Sequence, residues 1–283
     1  MKSVYRIQYA SNLFVHQAQT IEHSKRFLEP RHAPNLALLG NIGFPANTKT
    51  KGFIEWCCKH WLNVYWVPGP TELQHDHQIK SFQTEYDSLK NLTILDHTEE
   101  KLTYLPLSII GVPLWVPWGE SYSPSVNEKE RFFLANKSWE TVANWHNEDV
   151  EYLHTKLTSS NAKYLLLTHH LPSTHLLANG PARNNDLLFC GDKRLFKYSN
   201  LIGCLSGAGN NTAYGFFGPY QTFCAVNAAF SCPDMVPNPK YRPDVVATFN
   251  LENTYRSLNG YGVAFDAIFG KNNPVPSVAL QLQ

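Results

Sequence analysis

Short apolar runs alternate with polar, turn-rich segments along most of the chain. Six of these runs lack the 3.6-residue period of a helix and are bounded by Gly, Pro, Asn or Ser. Runs of this kind indicate strands that are buried on both faces, as in a largely parallel sheet. The predicted strands cover residues 4–10, 36–39, 64–67, 107–112, 164–168 and 201–206.

Two segments between these runs carry a helical period instead. In residues 52–62, apolar and aromatic side chains recur at i, i+3, i+4, i+7 and i+8, which predicts one buried helix face. These side chains are Phe53, Trp56, Cys57, His60 and Trp61. A second helix is predicted to begin near Asn147, which can cap it, followed by two acids and the stripe Val150, Leu153 and Leu157.

Beyond Gly215 the pattern changes to apolar runs without helices between them: YGFFG, QTFCAVNAAF and DVVATFNL. Consecutive strands of this kind are typical of hairpins that extend a sheet. Alternating strands and helices followed by hairpins predict a layered α/β fold, and 283 residues suffice for one such domain.

Charge and cysteine content narrow the function classes. With 24 basic and 23 acidic side chains the net charge is +1, which argues against a nucleic-acid partner and against capture by an acidic membrane. We expect no secretory leader and no membrane span, because the apolar segments are too short. The six cysteines form no CxxC pair, which favours reduced thiols and an intracellular, cytoplasmic location.

The loops at the ends of the predicted strands are the most informative feature. Five strands run directly into short loops: Ser11-Asn12-Leu13-Phe14, Gly40-Asn41-Ile42-Gly43, Gly69-Pro70-Thr71-Glu72, Thr168-His169-His170 and Gly207-Ala208-Gly209-Asn210. Because the carboxyl ends of parallel strands meet at one edge of a sheet, these loops are predicted to come together there, where α/β folds place their sites.

In their order along the chain and in the strands that precede them, these loops resemble the motifs of the calcineurin-like metallophosphoesterases. The resemblance covers roughly residues 5–251. That family reads Asp-x-His, Gly-Asp, Gly-Asn-His-Glu, a strand into His, and Gly-His-x-His. The resemblance implies a four-layer α/β/β/α sandwich. It further implies a phosphoesterase-fold domain over residues 1–250 and a C-terminal extension over residues 251–283.

Members of the family bind two divalent metals such as Mn, Fe or Zn, which activate a water and hold the phosphoryl oxygens. The resemblance places their ligand and catalytic positions on side chains of a different chemistry here. These positions are Asn12, Phe14, Asn41, Pro70, Thr71, Ala208 and Asn210. The histidine that follows the fourth strand is retained as His169, or as His170 if the register slips by one.

The charge balance decides what those replacements mean. Two divalent ions bring a charge of +4, and both aspartate positions are now neutral amides. An uncompensated buried charge costs on the order of several kcal/mol per ion. We therefore expect no metal cofactor and no catalytic residues, with His169, Asn41 and Asn12 as weak candidates for a single metal.

The resulting hypothesis is a catalytically inactive metallophosphoesterase-like protein that acts as a structural, scaffold or assembly component. Its expected partners are other proteins or further copies of itself, and a cellular or viral particle would suit such a role. One alternative is a hydrolase with a non-standard metal site. The other is a protein that binds a phosphate-containing ligand in the former cleft, with its lost metal charge replaced by cations such as Lys49, Lys51, Arg183 and Lys193.

Three remaining features have two interpretations each. His75-Asp76-His77 is a solvated loop or a metal-binding pair, and the Gly-x-Gly of SGAGNN is a turn or a phosphate cradle. The C-terminal extension carries Tyr255, Tyr261 and Phe265 before the alternating VALQLQ. A tail this apolar must pack on its own domain or on a partner.

Overall fold

A computed structural model describes residues 4–30, 32–73, 79–117, 138–173, 176, 193–209, 212–230 and 237–251. The strands, in chain order, are β1 (Val4–Ala10), β2 (Asn35–Leu39), β3 (Asn63–Val67), β4 (Leu92–Ile94), β5 (Thr98–Lys101), β6 (Leu107–Val112), β7 (Lys163–Thr168), β8 (Leu201–Gly209), β9 (Ala213–Phe217), β10 (Thr222–Ala228) and β11 (Val246–Asn250). The α-helices are α1 (Ile21–Ser24), α2 (Thr48–His60), α3 (Ile79–Glu85) and α4 (Trp139–Ser159).

The described strands form two sheets. The first has the order β11-β1-β2-β3-β4, in which β1 to β4 are parallel and β11 pairs antiparallel with β1. The second has the order β5-β6-β7-β8-β10-β9, with a parallel centre and an antiparallel strand at each edge. Both sheets therefore carry parallel strands at their centres, which need covering layers on both faces.

The side-chain alternation of the strands separates three hydrophobic cores. The core between the sheets takes the inner faces, for example Tyr65 of β3 and Leu165 of β7. The outer face of the first sheet packs on α2 and α3, with Trp66 against Phe82 of α3. The outer face of the second sheet packs on the α4 residues Val150, Leu153 and Leu157. The predicted four-layer α/β/β/α sandwich is therefore confirmed.

All six strands predicted from the apolar runs are present, as are the three predicted beyond Gly215. The hairpin prediction holds for β9 and β10, but β11 does not extend the same sheet. It pairs with β1 of the other sheet, from Val4↔Asn250 to Gln8↔Val246. The strands β4 and β5 were not predicted, because they are only three and four residues long and Thr98–Lys101 is polar.

Both predicted helices are present, but their starts differ. Helix α2 begins at Thr48, where the Asn47 side chain accepts from the Lys49 N–H. Helix α4 begins at Trp139, capped by Ser138, and Asn147 lies inside it. The prediction at Asn147 was wrong because a polar residue in the middle of a long helix imitates a cap.

The buried face of α2 also differs from the predicted one. It consists of Thr50, Phe53, Ile54 and Cys57, whereas His60 is exposed. Within the described ranges, none of the helices combines the length and apolarity needed to cross a bilayer.

Candidate functional site

The carboxyl ends of the parallel strands of both sheets meet at one end of the sandwich, rather than at the edge of a single sheet. His169 follows β7 and lies against Asn41, which follows β2. A Cβ built on Gly207 of β8 would lie 2.3 Å from the Leu39 carbonyl oxygen and 2.8 Å from Ser11 Cβ. The tips of four strands from two sheets are thus in direct contact.

Asn41 and His169 form the centre of this contact. The His169 Nδ1–H donates to the Leu39 carbonyl at 2.8 Å, because a carbonyl can only accept. Its Nε2 is therefore the acceptor, and the Asn41 Nδ2 lies 3.4 Å away. The Asn41 Oδ1 accepts from the Thr71 N–H at 2.9 Å. Burial lowers the pKa of His169 to about 4, although its bond to Leu39 favours the charged form, so the ring is neutral near pH 7.

The backbone at these tips is held in the left-handed region. Gly40 has φ +79°, and a Cβ there would lie 2.3 Å from His169 Nδ1. Asn41 follows with φ 55°, a conformation that asparagine tolerates better than most residues. This backbone turn brings the Asn41 amide across to the β7 tip.

A buried carboxylate, Glu72, joins the loops that follow β2 and β3. Its two oxygens accept four backbone N–H groups at 2.6–3.1 Å. The donors are Asn41, Ile42, Gly43 and Gly69. Burial raises the pKa of Glu72 to about 7, although these N–H groups favour the carboxylate. Sequence reasoning did not assign Glu72 a role, although Glu72 stands where the Gly-Asn-His-Glu motif has its glutamate.

Asn12 and Phe14 lie at the β1 tip, where the backbone of this loop pairs with that of the β2 tip. The Asn12 N–H donates to the Gly40 carbonyl and the Phe14 N–H to the Asn41 carbonyl, both at 3.0 Å. Both residues have positive φ, 55° and 45°. The Phe14 side chain is only 2% exposed, so an apolar ring occupies the position where the resemblance places a histidine ligand.

The other predicted positions are buried or lie outside the described residues. Pro70, Thr71 and Ala208 are buried, and Ala208 lies within β8 with φ 52°. SGAGNN is therefore strand up to Gly209 and not a free phosphate-binding loop. Asn210 is not among the described residues.

His170 contacts the loop that follows the carboxyl end of β6. Its backbone N–H and its Nδ1 both meet the Pro113 carbonyl oxygen, at 3.0 and 3.2 Å. Its ring packs 5.5 Å from that of Trp115. Of the two adjacent histidines, His169 is therefore the one that contacts Asn41.

Helix α4 holds the loop that carries Trp115. The Asp149 Oδ2 accepts from the Trp115 N–H at 2.9 Å, and His146 Nδ1 contacts the Trp115 carbonyl oxygen at 2.6 Å. The other Asp149 oxygen lies 2.9 Å from His97 Nε2. His146 and Asp149, one helical turn apart, thus fix the backbone N–H and carbonyl group of Trp115. The Trp115 ring in turn packs on His170.

The cations considered for an anion site have other contacts. The Lys49 Nζ donates to the carbonyl oxygens of Ala18 and His16, at 2.6 and 3.4 Å. Lys51 forms an ion pair with Glu85. Arg183, the Lys193 side chain and the segment His75-Asp76-His77 lie outside the described residues.

The residues at the strand tips do not fit a centre of two divalent metals. Asn12, Asn41 and Thr71 are neutral, and the Asn41 amide directs its NH₂ group toward the His169 Nε2. The described part of the chain contains no group of three or more His, Cys, Asp or Glu side chains that could hold a metal ion. A pair of doubly charged ions here would lack both ligands and compensating charge.

Comparison with known proteins gives a viral relative and many structural ones. No family model matches the chain. Protein L509 of Acanthamoeba polyphaga mimivirus is 25% identical over 169 residues, which span 53% of this chain and 60% of that protein.

Solved structures that cover most of the chain share its fold at low sequence identity. The phosphopantetheinyl hydrolase of Mycobacterium tuberculosis has a TM-score of 0.57 at 14% identity and covers 86% of this chain and 100% of its own. A dimetal phosphatase from Danio rerio has a TM-score of 0.51 at 10% identity, covering 89% and 93%. GAP50, the anchor in the inner membrane complex of Plasmodium, has a TM-score of 0.50 at 11% identity, covering 88% and 82%. The chain therefore has the fold of the calcineurin-like metallophosphoesterases.

Proposed function

We propose that this protein is a non-catalytic member of the metallophosphoesterase fold that serves as a structural, scaffold or assembly component. The observation that carries the proposal is the hydrogen-bonded contact at the strand tips. There, the amide oxygen of Asn41 accepts a hydrogen bond from the Thr71 N–H, and its amide nitrogen faces His169 Nε2. Side chains that hold metals in a dimetal phosphatase would be replaced by groups that bind one another.

The chemistry of phosphoryl transfer supports this proposal. Catalysis of that reaction rests almost entirely on positioning and on neutralising the charge that develops on the phosphoryl oxygens. At the described strand tips the only carboxylate is Glu72, and four backbone N–H groups occupy its oxygens. It is placed to hold two loops together rather than to ligate a metal.

A structural neighbour provides a precedent for a role other than hydrolysis. GAP50, which shares the fold, is the anchor in the inner membrane complex of Plasmodium. The relation is one of fold alone, so it supports the class of function and does not identify a partner. We propose protein partners or self-assembly on these grounds.

Metal content and turnover test the proposal directly. Protein purified without chelator is expected to contain less than about 0.1 equivalent of Mn, Fe or Zn, and to leave a generic aryl phosphodiester unhydrolysed when Mn²⁺ is added. Two equivalents of metal together with metal-dependent turnover would overturn the proposal. One equivalent with turnover would support the alternative of a hydrolase with a non-standard site.

A restored variant tests whether the strand tips are the relevant positions. Replacing the changed residues by those of the family should raise Mn²⁺ affinity, measured by calorimetry, by at least about tenfold. The substitutions are Asn12→Asp, Phe14→His, Asn41→Asp, Pro70→Asn, Thr71→His, Ala208→His and Asn210→His. Asn63→Asp is a matched control, because it adds a carboxylate at the opposite end of β3. Equal affinity in the restored and control variants would mean that the residue assignment is wrong.

A second candidate is binding of a phosphate-containing ligand at the same tips. It is favoured by two buried hydroxyls, those of Ser11 and Thr71, which have no hydrogen-bond partner within the described part of the chain. Inorganic phosphate and adenosine monophosphate are the probes. A rise in melting temperature of more than about 2 °C with either, without turnover, would favour this candidate over a scaffold.

A further inference from the structure

The end of the sandwich opposite the strand tips carries the exposed apolar side chains. Among the described residues, the large hydrophobic side chains that are exposed are Val4, Leu62, Tyr104 and Tyr220. Val4 begins β1, Leu62 precedes β3, Tyr104 precedes β6 and Tyr220 precedes β10. Since the carboxyl ends of both sheets meet, their amino ends also lie together, and all four residues belong to this end. We call Val4, Leu62, Tyr104 and Tyr220 the amino-end face.

Single exposed apolar residues are normal, but their concentration at one end is not. Leu62 is 73% exposed and Tyr104 is 61% exposed. The two lie near each other, because the Tyr104 side chain hydrogen-bonds with Asn63, the residue that follows Leu62. The side chains of this face therefore include a local pair and are not merely scattered.

A cavity of about 370 Å³ opens at this end, between the loop that precedes β6 and the loop that precedes β7. Its lining includes the apolar side chains Leu102, Leu105 and Pro106, with Lys101 and Lys163 among its polar residues. It is large enough for an aromatic or branched aliphatic side chain, and its composition suits an apolar group flanked by polar backbone.

The chain leaves its last described strand at the rim of this cavity. Lys163, which lines the cavity, donates from Nζ to the carbonyl oxygen of Leu251 at 2.8 Å. Residues 252–283 come directly after Leu251. They carry Tyr255, Tyr261, Phe265, Ile268 and Phe269, and their charged residues are balanced, with Glu252 and Asp266 against Arg256 and Lys271.

We infer that residues 252–283 of the same chain dock on the amino-end face and place an apolar side chain in the cavity between the loops that precede β6 and β7. The origin of the segment at the cavity rim makes this contact intramolecular, so it has a high effective concentration. The aromatic side chains of the segment match the apolar character of the face. The inference concerns a surface remote from the strand tips and does not depend on the proposed function.

Trypsin cleavage at Arg256 and Lys271 tests the docking in the full-length protein. Mass spectrometry gives the rate at each site, with the urea-unfolded chain as the unprotected reference. We expect at least about tenfold protection at both sites, since cleavage follows the population of the undocked segment. Tyr104→Asp and Leu62→Asp should each reduce this protection by about threefold or more, because each places a charge in the docked interface.

Ile21→Asp serves as the matched control, since Ile21 packs on Gly52 in the outer helical layer, and it should leave protection unchanged. Circular dichroism melting verifies that each variant is folded. Unprotected sites in the unmodified protein would overturn the inference. Protection that Tyr104→Asp and Leu62→Asp do not alter would also overturn it. Protection that rises with protein concentration would overturn it as well, because the segment would then dock on a second copy of the chain.

Discussion

The two ends of the sandwich differ in how their side chains are used. At the carboxyl ends of the strands, Asn41, Glu72 and His169 are buried and hydrogen-bonded to one another's loops. At the amino ends, Leu62 and Tyr104 are exposed, and a cavity opens between the loops that precede β6 and β7. In α/β folds of this kind the carboxyl end is normally the working end and the amino end serves stability.

Under the proposed function, this protein would reverse those two roles. The carboxyl end contains the contacts that a stable core requires, whereas the amino end offers the accessible apolar surface that interactions require. Substitutions at the carboxyl end should therefore change mainly the free energy of unfolding. Substitutions at the amino end should change mainly association and docking.

The largest expected effect is that of Glu72→Ala. It removes the acceptor of four buried backbone N–H groups, each of which costs about 1–3 kcal/mol when unsatisfied. We expect the free energy of unfolding, measured in urea, to fall by roughly 4 kcal/mol or more. Glu22→Ala is the control, because Glu22 pairs with Lys25 at the surface, and it should cost less than about 1 kcal/mol. Equal losses of unfolding free energy in the two variants would mean that the carboxyl end does not carry the contacts that stabilise the fold.

Gly40→Ala should be nearly as severe. The added Cβ would lie 2.3 Å from His169 Nδ1, at a φ of +79° that alanine rarely adopts. We expect a loss of about 4 kcal/mol, read from the urea midpoint. Gly52→Ala in α2 is the matched control: its Cβ meets only the flexible end of Ile21, and alanine favours a helix. A tolerated Gly40→Ala would show that the Asn41–His169 contact is not tightly packed.

The pH dependence of stability sharpens the comparison further. Burial lowers the pKa of His169 from 6.5 to about 4, so the unfolded chain takes up a proton before the folded one does. Stability from this group is complete above pH 6.5 and is lost as the pH falls toward 4, by about 3 kcal/mol. His169→Gln should remove this part of the slope.

Glu72 also titrates in this pH range, and its contribution to the free energy of unfolding changes with pH in the opposite direction to that of His169. Its pKa is raised by burial from 4.5 to about 7, so the group favours the folded state below pH 4.5 and loses that contribution as the pH rises through 7. The informative quantity is therefore the difference between His169→Gln and the unmodified protein at each pH. An unchanged difference between pH 4 and 6.5 would mean that His169 is accessible to protons.

The smallest expected effect is at the amino end. Tyr104→Asp should lower the free energy of unfolding by no more than about 1 kcal/mol, including the loss from weaker docking, because its side chain is 61% exposed. Urea unfolding followed by tryptophan fluorescence measures this change. A loss above about 2 kcal/mol would mean that Tyr104 belongs to the core, and the contrast between the two ends would fail.

Much of the fold could be predicted from local pattern. Each of the six apolar runs predicted as strands lies in a strand, because a strand that is buried on both faces requires a continuous apolar segment. The start of α4 could not be located in the same way, since Ser138 and Asn147 are both good caps and only packing against the second sheet selects one. The polar edge strand β5 was missed because its polar residues Thr98–Lys101 give little apolar signal.

The sequence predicted which positions lie at the candidate site, but it did not predict the hydrogen bonds that connect them. The strand-end loops predict that Asn41 and His169 lie close together, and their side chains are 3.4 Å apart. The role of Glu72 was not predictable, because its four partners are backbone N–H groups that any residue would supply. Only the turn at Gly40 and Asn41 directs these groups toward one carboxylate.

By itself, the sequence determined the succession of strands, the loops at their carboxyl ends and the chemical identity of each side chain there. Those properties depend on residues that are near one another in the chain. The tertiary structure alone decided that the strands divide into two sheets, that β11 crosses to pair with β1, and that His169 rather than His170 meets Asn41. These outcomes depend on which distant segments bury one another, and hydrophobic burial has no direction that local sequence can specify.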